Sequence, residues 1–175
     1  MPVLHVLAGP NGAGKSTYVA RILEPVTHLP FVNADLIAAE RSQLLAARRS
    51  FLTETVFSHP SKLALLDEAI ARGYLVHVHV ILVPVDVSIR RVAERVREGG
   101  HAVPERKIRE RYARLWDLVA RARVVADRTD FFDNSTARHP FRRVAAYEHG
   151  RPIGEPDWPA WAPKEIAGAT PDDGV

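Results

Sequence analysis

The 175-residue sequence contains no cysteine. The chain can therefore form no disulfide bond, no thiolate metal site and no cysteine nucleophile. It also has no apolar run that approaches the length of about 20 residues that a transmembrane helix needs. Its first residues include no basic region followed by a cleavage site. From these absences we expect a cytoplasmic protein with neither a membrane segment nor a targeting peptide.

The net charge of the chain is small, but its basic residues are unevenly placed. There are 24 Lys and Arg residues against 21 Asp and Glu, which leaves a formal net charge of +3. Hydrophobic and charged residues make up 46% and 26%, as in ordinary globular proteins. The arginines cluster between Arg90 and Arg128. This cluster favours an anionic partner, which is either nucleic acid or the phosphates of a small molecule.

Short apolar runs alternate with stretches of helical character along most of the chain. The predicted strands are VLHVLA, PFVNAD, SFLTETVF, YLVHVHVILV, DFFDNS and RRVAAYEHGRPI. The predicted helices include SKLALLDEAIAR, VDVSIRRVAERVRE and PERKIRERYARLWDLVARAR. An earlier helix is expected from Lys15 to about Leu23, closed by Pro25. Such alternation is typical of βαβ units, so we expect an α/β fold with a mostly parallel sheet and helices on both faces.

The chain length suits a single domain, which we place at residues 1–150. The last 24 residues hold five of the 13 prolines. We therefore predict that residues 151–175 form an irregular tail, in which Trp158 and Trp161 pack against the core.

The segment GPNGAGKS, residues 9–16, matches the phosphate-loop pattern G-x-x-x-x-G-K-[ST] between a predicted strand and a predicted helix. Glycines let backbone N–H groups turn toward phosphate oxygens, and a helix start adds its positive end. Lys15 is expected to reach the β- and γ-phosphates and Ser16 to offer its hydroxyl to Mg²⁺. The motif predicts the three-layer sandwich of a P-loop NTPase. The predicted nucleotide-binding residues are Gly9, Pro10, Asn11, Gly12, Ala13, Gly14, Lys15, Ser16 and Thr17.

Transporter ATPases share this loop, but they carry two further features that the chain lacks. One is the signature LSGGQ, and the other is an apolar strand that ends in Asp-Glu. Here the paired glycines lie in REGGHAVP, and VHVILVPVD has no acidic pair. The sequence therefore favours transfer of a phosphoryl group to a second substrate.

Acidic residues lie at the carboxyl ends of two of the predicted strands, where a parallel sheet places its ligand crevice. Asp35 could accept a proton from a substrate hydroxyl during phosphoryl transfer, or it could cap the following helix. Asn33 is a weaker candidate at the same place. Glu54, between Thr53 and Thr55, could contact a substrate hydroxyl or support Mg²⁺, or it could be a plain edge carboxylate.

Between residues 90 and 114, the two predicted helices around the break EGGHAVPE carry eight arginines. We predict that residues 90–114 form a lid over phosphates, with at least two arginines entering the site. Arg91 and Arg95 share one helix face, and Arg111 and Arg114 share another. The eight are Arg90, Arg91, Arg95, Arg97, Arg106, Arg109, Arg111 and Arg114.

His77 and His79 lie on the same face of their predicted strand, as a pair of metal ligands would. The sequence shows no third ligand at a suitable spacing. Hydrogen-bonded imidazoles buried in the sheet are therefore the preferred interpretation.

Taken in order, five stretches resemble the zeta toxin family of P-loop kinases. These stretches are AGPNGAGKST, FVNADLIA, FLTETVFS, RVREGGHAVPERKIRERY and FFDNS. The resemblance implies an ATP- and Mg²⁺-dependent kinase that phosphorylates a hydroxyl of a small metabolite, with UDP-N-acetylglucosamine as the best single candidate. It also names an antitoxin protein as a candidate partner.

The resemblance implies roles for individual residues. Asp35 matches the general base, and Lys15 and Ser16 match the nucleotide and Mg²⁺ residues. Glu54 and Thr55 match a substrate-contacting pair, although sugar-nucleotide kinases of the family tend to have Glu-Gly-Thr. The segment after Asp35 is also shorter than in larger members. The two phosphate-contacting arginines are best matched by Arg95 and Arg111.

Two other functions fit the same residues. One is a kinase for an antibiotic, a nucleoside or another sugar. The other is an ATP-dependent protein that modifies nucleic-acid ends. The basic lid permits the second function, but no basic strand interleaved with aromatic residues supports it.

Overall fold

The computed structural model describes residues 1–33 and 38–168. Within these residues, seven strands form one sheet in the order β2-β3-β1-β4-β5-β6-β7. β1 to β5 are parallel, and β6 and β7 extend the sheet as an antiparallel edge. The predicted α/β fold with a mostly parallel sheet is confirmed. The strands are β1 Val3–Ala8, β2 Phe31–Asn33, β3 Phe51–Thr55, β4 Leu75–Leu82, β5 Arg128–Asp133, β6 Arg142–Glu148 and β7 Arg151–Pro152.

Helices cover both faces of the sheet. One core cluster joins Val78 of β4 to Leu66 and Val119. The other cluster joins Leu7 of β1 to Tyr18. Side chains alternate between the two faces along each strand, so the clusters form the two interfaces of a three-layer sandwich. The helices are α1 Lys15–Tyr18, α2 Glu24–Thr27, α3 Ala38–Ala46, α4 Ser61–Ala71, α5 Val85–Arg97, α6 Glu105–Val125 and α7 Lys164–Ala167.

The first helical region continues past Pro25, where the sequence predicted its end. Between α1 and α2, Val19–Leu23 form a π-helical segment, and the N–H of Glu24 bonds to the carbonyl of Val19. Pro25 then lies in the first turn of α2. Proline is tolerated there because a first-turn residue needs no intrahelical N–H bond.

The C-terminal segment is more regular than its prolines predict, as far as residue 168. Arg151–Pro152 form β7, and a short helix follows at Lys164–Ala167. Ile166 of that helix is fully buried in the main core. Trp158 and Trp161 pack against the same core, as predicted. These apolar contacts join the segment to the domain.

The carboxyl ends of β1, β2 and β3 meet at one edge of the sheet. Leu7 of β1 lies opposite Glu54 of β3, and Glu54 lies opposite Asn33 of β2 on its other side. The loop that begins at Gly9 leaves β1 at this same edge. Ligands of parallel α/β sheets bind at this edge. No helix in the described part of the chain is long and apolar enough to cross a bilayer.

Candidate active site

The loop between β1 and α1 requires glycine at two positions where it passes close to its neighbours. Gly9 has a φ of 152°, and a Cβ there would lie 2.5 Å from the carbonyl oxygen of Ile81. Gly14 has a φ of 97°, and a Cβ there would lie 2.6 Å from Nδ2 of Asn134. Both φ values are in the region that side chains disfavour. The first and last glycines of the motif therefore lie where the loop backbone passes too close to its neighbours for a side chain.

Residues of α5 and of the segment after β5 hold the loop in place. Asn134 follows β5, and its Nδ2 donates to the carbonyl of Ala13 at 2.8 Å. Arg91 of α5 donates to the carbonyl of Asn134 at 2.9 Å. The hydroxyl of Ser88 donates to the carbonyl of Asn11. The sequence analysis did not single out Asn134 or Ser88, although Asn134 lies at the carboxyl end of a predicted strand, as Asp35 does.

Lys15 is the first residue of α1, and its side chain folds back over its own loop. Its Nζ donates to the carbonyls of Gly9 and Pro10, each at 3.1 Å. The ammonium group is thereby held at the loop, beside the backbone amides that would bind phosphate.

Ser16 and Glu54 form a direct link between α1 and β3. The Ser16 hydroxyl lies 2.9 and 3.1 Å from the two carboxylate oxygens of Glu54 and donates to them. A hydroxyl and a carboxylate at this separation are the oxygen ligands that Mg²⁺ prefers. The pair therefore fits a Mg²⁺ site next to bound phosphates.

A cleft of about 710 Å³ opens above the loop. Most of the predicted site residues line it, including Lys15, Ser16, Glu54, Thr55 and Arg95. The cleft is lined by Asn11, Gly12, Gly14, Lys15, Ser16, Thr17, Arg21, Glu54, Thr55, Val56, Arg91, Glu94, Arg95, Glu98, Asn134, Pro140 and Phe141. Gly9, Pro10 and Ala13 do not line the cleft, and all three are buried.

The arginines of residues 90–114 divide between the cleft and the protein surface. Arg91 and Arg95 line the cleft. Burial, followed by the charge of the neighbouring Arg90, lowers the pKa of Arg91. Arg106 and Arg109 instead pair with carboxylates on their own exposed helix face. The helices α5 and α6 are separate, and the predicted break at the two glycines lies between them.

Arg111 lies in a second, smaller cleft of about 330 Å³. Thr55 and Val56 line both clefts, so the two adjoin at the end of β3. The remaining residues of the smaller cleft are Ser58, His59, Ser61 and Lys62. Arg95 and Arg111, which the sequence grouped as phosphate ligands, are therefore placed in neighbouring clefts.

Two apolar residues contribute to the lining of the larger cleft. Pro140 and Phe141 line it after β5. The Phe141 ring meets the ring of Tyr18 edge-on, with the ring centroids 5.2 Å apart. Such a surface offers a flat contact for a nucleotide base.

The remaining predicted residues are Asn33 and Asp35, near the end of β2 in sequence. Asn33 is the last residue of that strand, and its backbone lies opposite Glu54. Asp35, the predicted general base, lies outside the described residues.

The strand, glycine loop and helix, set in a parallel sheet of order β2-β3-β1-β4-β5, define a P-loop nucleotide-binding domain. The model of the Zeta toxin family matches residues 32–139, which is more than half of the chain. The chain belongs to this family. The match begins after the phosphate loop, so the loop and the family match are separate observations.

Solved structures share the fold at low sequence identity. A chain of the AvrRxo1-ORF1:AvrRxo1-ORF2 complex with sulphate ions matches with a TM-score of 0.62 and 14% identity, over 89% of this chain and 61% of that one. That complex has also been solved with ATP. A chain of the PezAT chromosomal toxin-antitoxin system of Streptococcus pneumoniae matches with a TM-score of 0.61 and 13% identity, over 83% and 72%.

A gluconokinase from Sinorhizobium meliloti 1021 matches with a TM-score of 0.52 and 21% identity, over 77% of this chain and 84% of that one. The present chain spans only 61% of the length of the AvrRxo1 chain that it matches. A search of curated proteins finds no match to the chain.

Proposed function

We propose that the protein transfers the γ-phosphoryl group of ATP to a hydroxyl of a small metabolite. The observation that carries this proposal is the junction of two clefts at Thr55 and Val56. The larger cleft lies over the phosphate loop, and the smaller one has room for an acceptor. ATP hydrolysis alone needs only the first cleft, whereas transfer needs a second binding place within reach of the γ-phosphate.

The phosphate loop and its neighbours bind and orient the donor. Backbone amides of residues 9–14 and the Lys15 ammonium hold the phosphates. Arg95, which lines the same cleft, neutralises charge on the transferred group as it builds up. Ser16 and Glu54 would hold Mg²⁺, which supplies positive charge to the β- and γ-phosphate oxygens when bound.

The acceptor hydroxyl attacks the γ-phosphorus while the bond to the β–γ bridging oxygen breaks, which leaves ADP. The proton of that hydroxyl goes to Asp35 as general base. Support for Asp35 comes from its place in the sequence, two residues after Asn33, whose backbone lies opposite Glu54. Asn33, Glu54 and Thr55 orient the acceptor.

The second cleft favours an acceptor that carries negative charge. Lys62 and Arg111 both line it, together with His59. A sugar nucleotide has a hydroxyl to phosphorylate and a diphosphate that such cations attract. UDP-N-acetylglucosamine is therefore our first choice of acceptor, and family membership supports the same choice. An antitoxin protein is the proposed partner, since the PezAT match is a toxin-antitoxin system.

A screen with γ-labelled ATP tests the acceptor class. The panel contains sugar nucleotides, nucleosides, aminoglycoside-like alcohols and polynucleotide ends, each with Mg²⁺. We expect label on a sugar nucleotide in wild type and none with Lys15→Ala. Label on a nucleoside, an aminoglycoside or a polynucleotide end would show that the proposed acceptor is wrong. The proposed phosphoryl transfer would still hold, with the labelled compound as the acceptor.

A further inference from the structure

Three histidines meet on the sheet face beneath α1, outside both clefts. His5 of β1 lies opposite His77 of β4, and His79 follows two residues later on the same face. One ring nitrogen of each lies within 4.8 Å of the other two. The sequence pointed to His77 and His79 but not to His5, because the contact depends on the pairing of two strands 72 residues apart.

The rings of His5 and His79 are already close to the separation that a shared ion requires. Nδ1 of His5 lies 3.0 Å from Nε2 of His79. Two imidazole nitrogens bound at about 2.0–2.1 Å to one tetrahedral ion lie about 3.3 Å apart. A metal ion could therefore replace the proton shared between these two nitrogens with a small outward shift of the rings.

Both rings are shielded from solvent, and His79 is almost completely enclosed. His79 is 3% exposed, and His5 is partly buried. Because a ring nitrogen of each already faces the other, an ion bound between them would lie in a shielded site with nitrogen ligands.

His77 is oriented by a carboxylate, as metal-binding histidines are. Its Nε2 lies 2.7 Å from Oδ2 of Asp130. Arg128 donates to both oxygens of the same carboxylate, at 2.7 and 3.1 Å. Burial alone would raise the pKa of Asp130, but the hydrogen bonds from His77 and Arg128 hold it well below its ordinary value. Asp130 is thus the hydrogen-bond partner of Nε2 of His77, which leaves Nδ1 as the ring nitrogen for an ion.

The ring of His77 packs against His79 at a tilt, with the ring centroids 3.9 Å apart and the planes 31° apart. A change in this tilt that keeps the hydrogen bond to Asp130 would be needed to turn its Nδ1 toward the other two nitrogens. The side chain of His77 is 22% exposed, so solvent reaches the cluster at this ring and can supply water as a fourth ligand.

We propose that His5, His77 and His79 form a site for a transition-metal ion of the Zn²⁺ type, with Asp130 as the outer partner of His77. Three imidazoles and one water are a common ligand set for Zn²⁺. Nitrogen ligands disfavour Mg²⁺, so this site is chemically separate from the Ser16–Glu54 pair. The ion would join β1 to β4 beneath α1 and stabilise the layer that supports the phosphate loop.

Equilibrium dialysis of the chelator-treated full chain against Zn²⁺, without nucleotide, tests the proposal. We expect one Zn²⁺ per chain, a rise in melting temperature, and the visible absorption of tetrahedral Co²⁺ when Co²⁺ is the probe. His77→Ala should abolish these signals. Asp130→Asn should weaken Zn²⁺ binding by about 10–100-fold. His149→Ala, at an exposed histidine elsewhere, is the matched control and should bind as wild type does.

Ser16→Ala tests whether Zn²⁺ binds at the Ser16–Glu54 pair instead of at the histidines. The proposal predicts that this variant binds Zn²⁺ with wild-type affinity. Circular dichroism checks that each variant is folded. If His77→Ala does not fold, His5→Gln and the wild-type Co²⁺ spectrum remain as tests. Absence of both stoichiometric Zn²⁺ and the tetrahedral spectrum in wild type would overturn the proposal. Zn²⁺ binding that is lost in Ser16→Ala but kept in His77→Ala would also overturn it.

Discussion

The Ser16 hydroxyl donates to the Glu54 carboxylate at 2.9 Å, and this contact joins the helix after the phosphate loop to the end of β3. The two residues are 38 positions apart in sequence. Their contact places the first turn of α1, which follows the glycine loop, beside the acidic end of β3. The proposed metal-assisted transfer depends on this point.

Removing the charge of Glu54 tests its part in the proposed Mg²⁺ site. Glu54→Gln keeps the shape of the side chain but offers one neutral oxygen in place of a carboxylate. We expect kcat to fall about 100-fold and the Mg²⁺ concentration for half-maximal rate to rise. Steady-state kinetics across a Mg²⁺ titration measure both effects. Glu68→Gln, at an exposed surface pair, is the control, and an equal loss there would contradict the assignment.

Asn134 is predicted to maintain the shape of the phosphate loop. Asn134→Ala removes the donor to the Ala13 carbonyl and leaves that buried acceptor unpaired. We expect ATP affinity to fall about 10-fold and the free energy of unfolding to fall by about 1–3 kcal/mol. Calorimetric titration and urea unfolding measure these changes. Thr136→Ala, at an exposed position two residues later, should leave both quantities unchanged, and wild-type ATP binding by Asn134→Ala would refute the role.

The two clefts predict different kinetic effects for two arginines. Arg95→Ala should lower kcat about 100-fold, because Arg95 lies in the cleft of the transferred group. Arg111→Ala should mainly raise the KM for the acceptor, because Arg111 lies in the adjoining cleft. Arg106→Ala, at an exposed pair with Glu110, is the control. Identical kinetic changes in the Arg95 and Arg111 variants would contradict the division into donor and acceptor clefts.

The histidine cluster predicts a loss of stability on mild acidification. The folded-state pKa values of His5 and His79 lie below the ordinary 6.5. Between pH 6.5 and 4, the unfolded chain therefore binds protons that the folded chain does not, and the free energy of unfolding falls. Asp130 adds to this loss of stability only at lower pH, since the stabilisation from its ionised carboxylate is lost as pH falls toward its depressed pKa.

We expect the free energy of unfolding to drop by about 2 kcal/mol between pH 7 and pH 5. Urea unfolding in the presence of a chelator measures the drop. His79→Leu should show a clearly smaller drop, and His149→Ala should behave as wild type does. If the free energy of unfolding of His79→Leu fell between pH 7 and pH 5 as much as that of wild type, the buried ring would not be the source of the drop.

Local signals predicted most of the fold. The glycine loop, the apolar strands and the amphipathic helices are encoded in neighbouring residues, so the order of elements and the fold class followed from the sequence. The end of the first helix was placed too early, because a π-helical segment before Pro25 lets the helical path continue. The regular structure in the C-terminal segment was missed, because the burial of Ile166 depends on the core it meets.

The site was predicted less completely, since its contacts join distant strands. Lys15, Ser16 and Glu54 were identified from motif and position. Asn134 supports the loop because β5 lies only one strand away from β1 in the sheet, with β4 between them. The third histidine, His5, depends on the register between β1 and β4. Sequence spacing contains neither relationship.

Identification of the product by mass spectrometry is the most direct test of the central claim. Wild type, Lys15→Ala and Asp35→Ala are each incubated with ATP, Mg²⁺ and a metabolite extract. We predict that one metabolite gains the mass of one phosphate with wild type only, while Asp35→Ala still binds ATP. Release of free phosphate without any phosphorylated metabolite, or normal turnover by Asp35→Ala, would contradict the account.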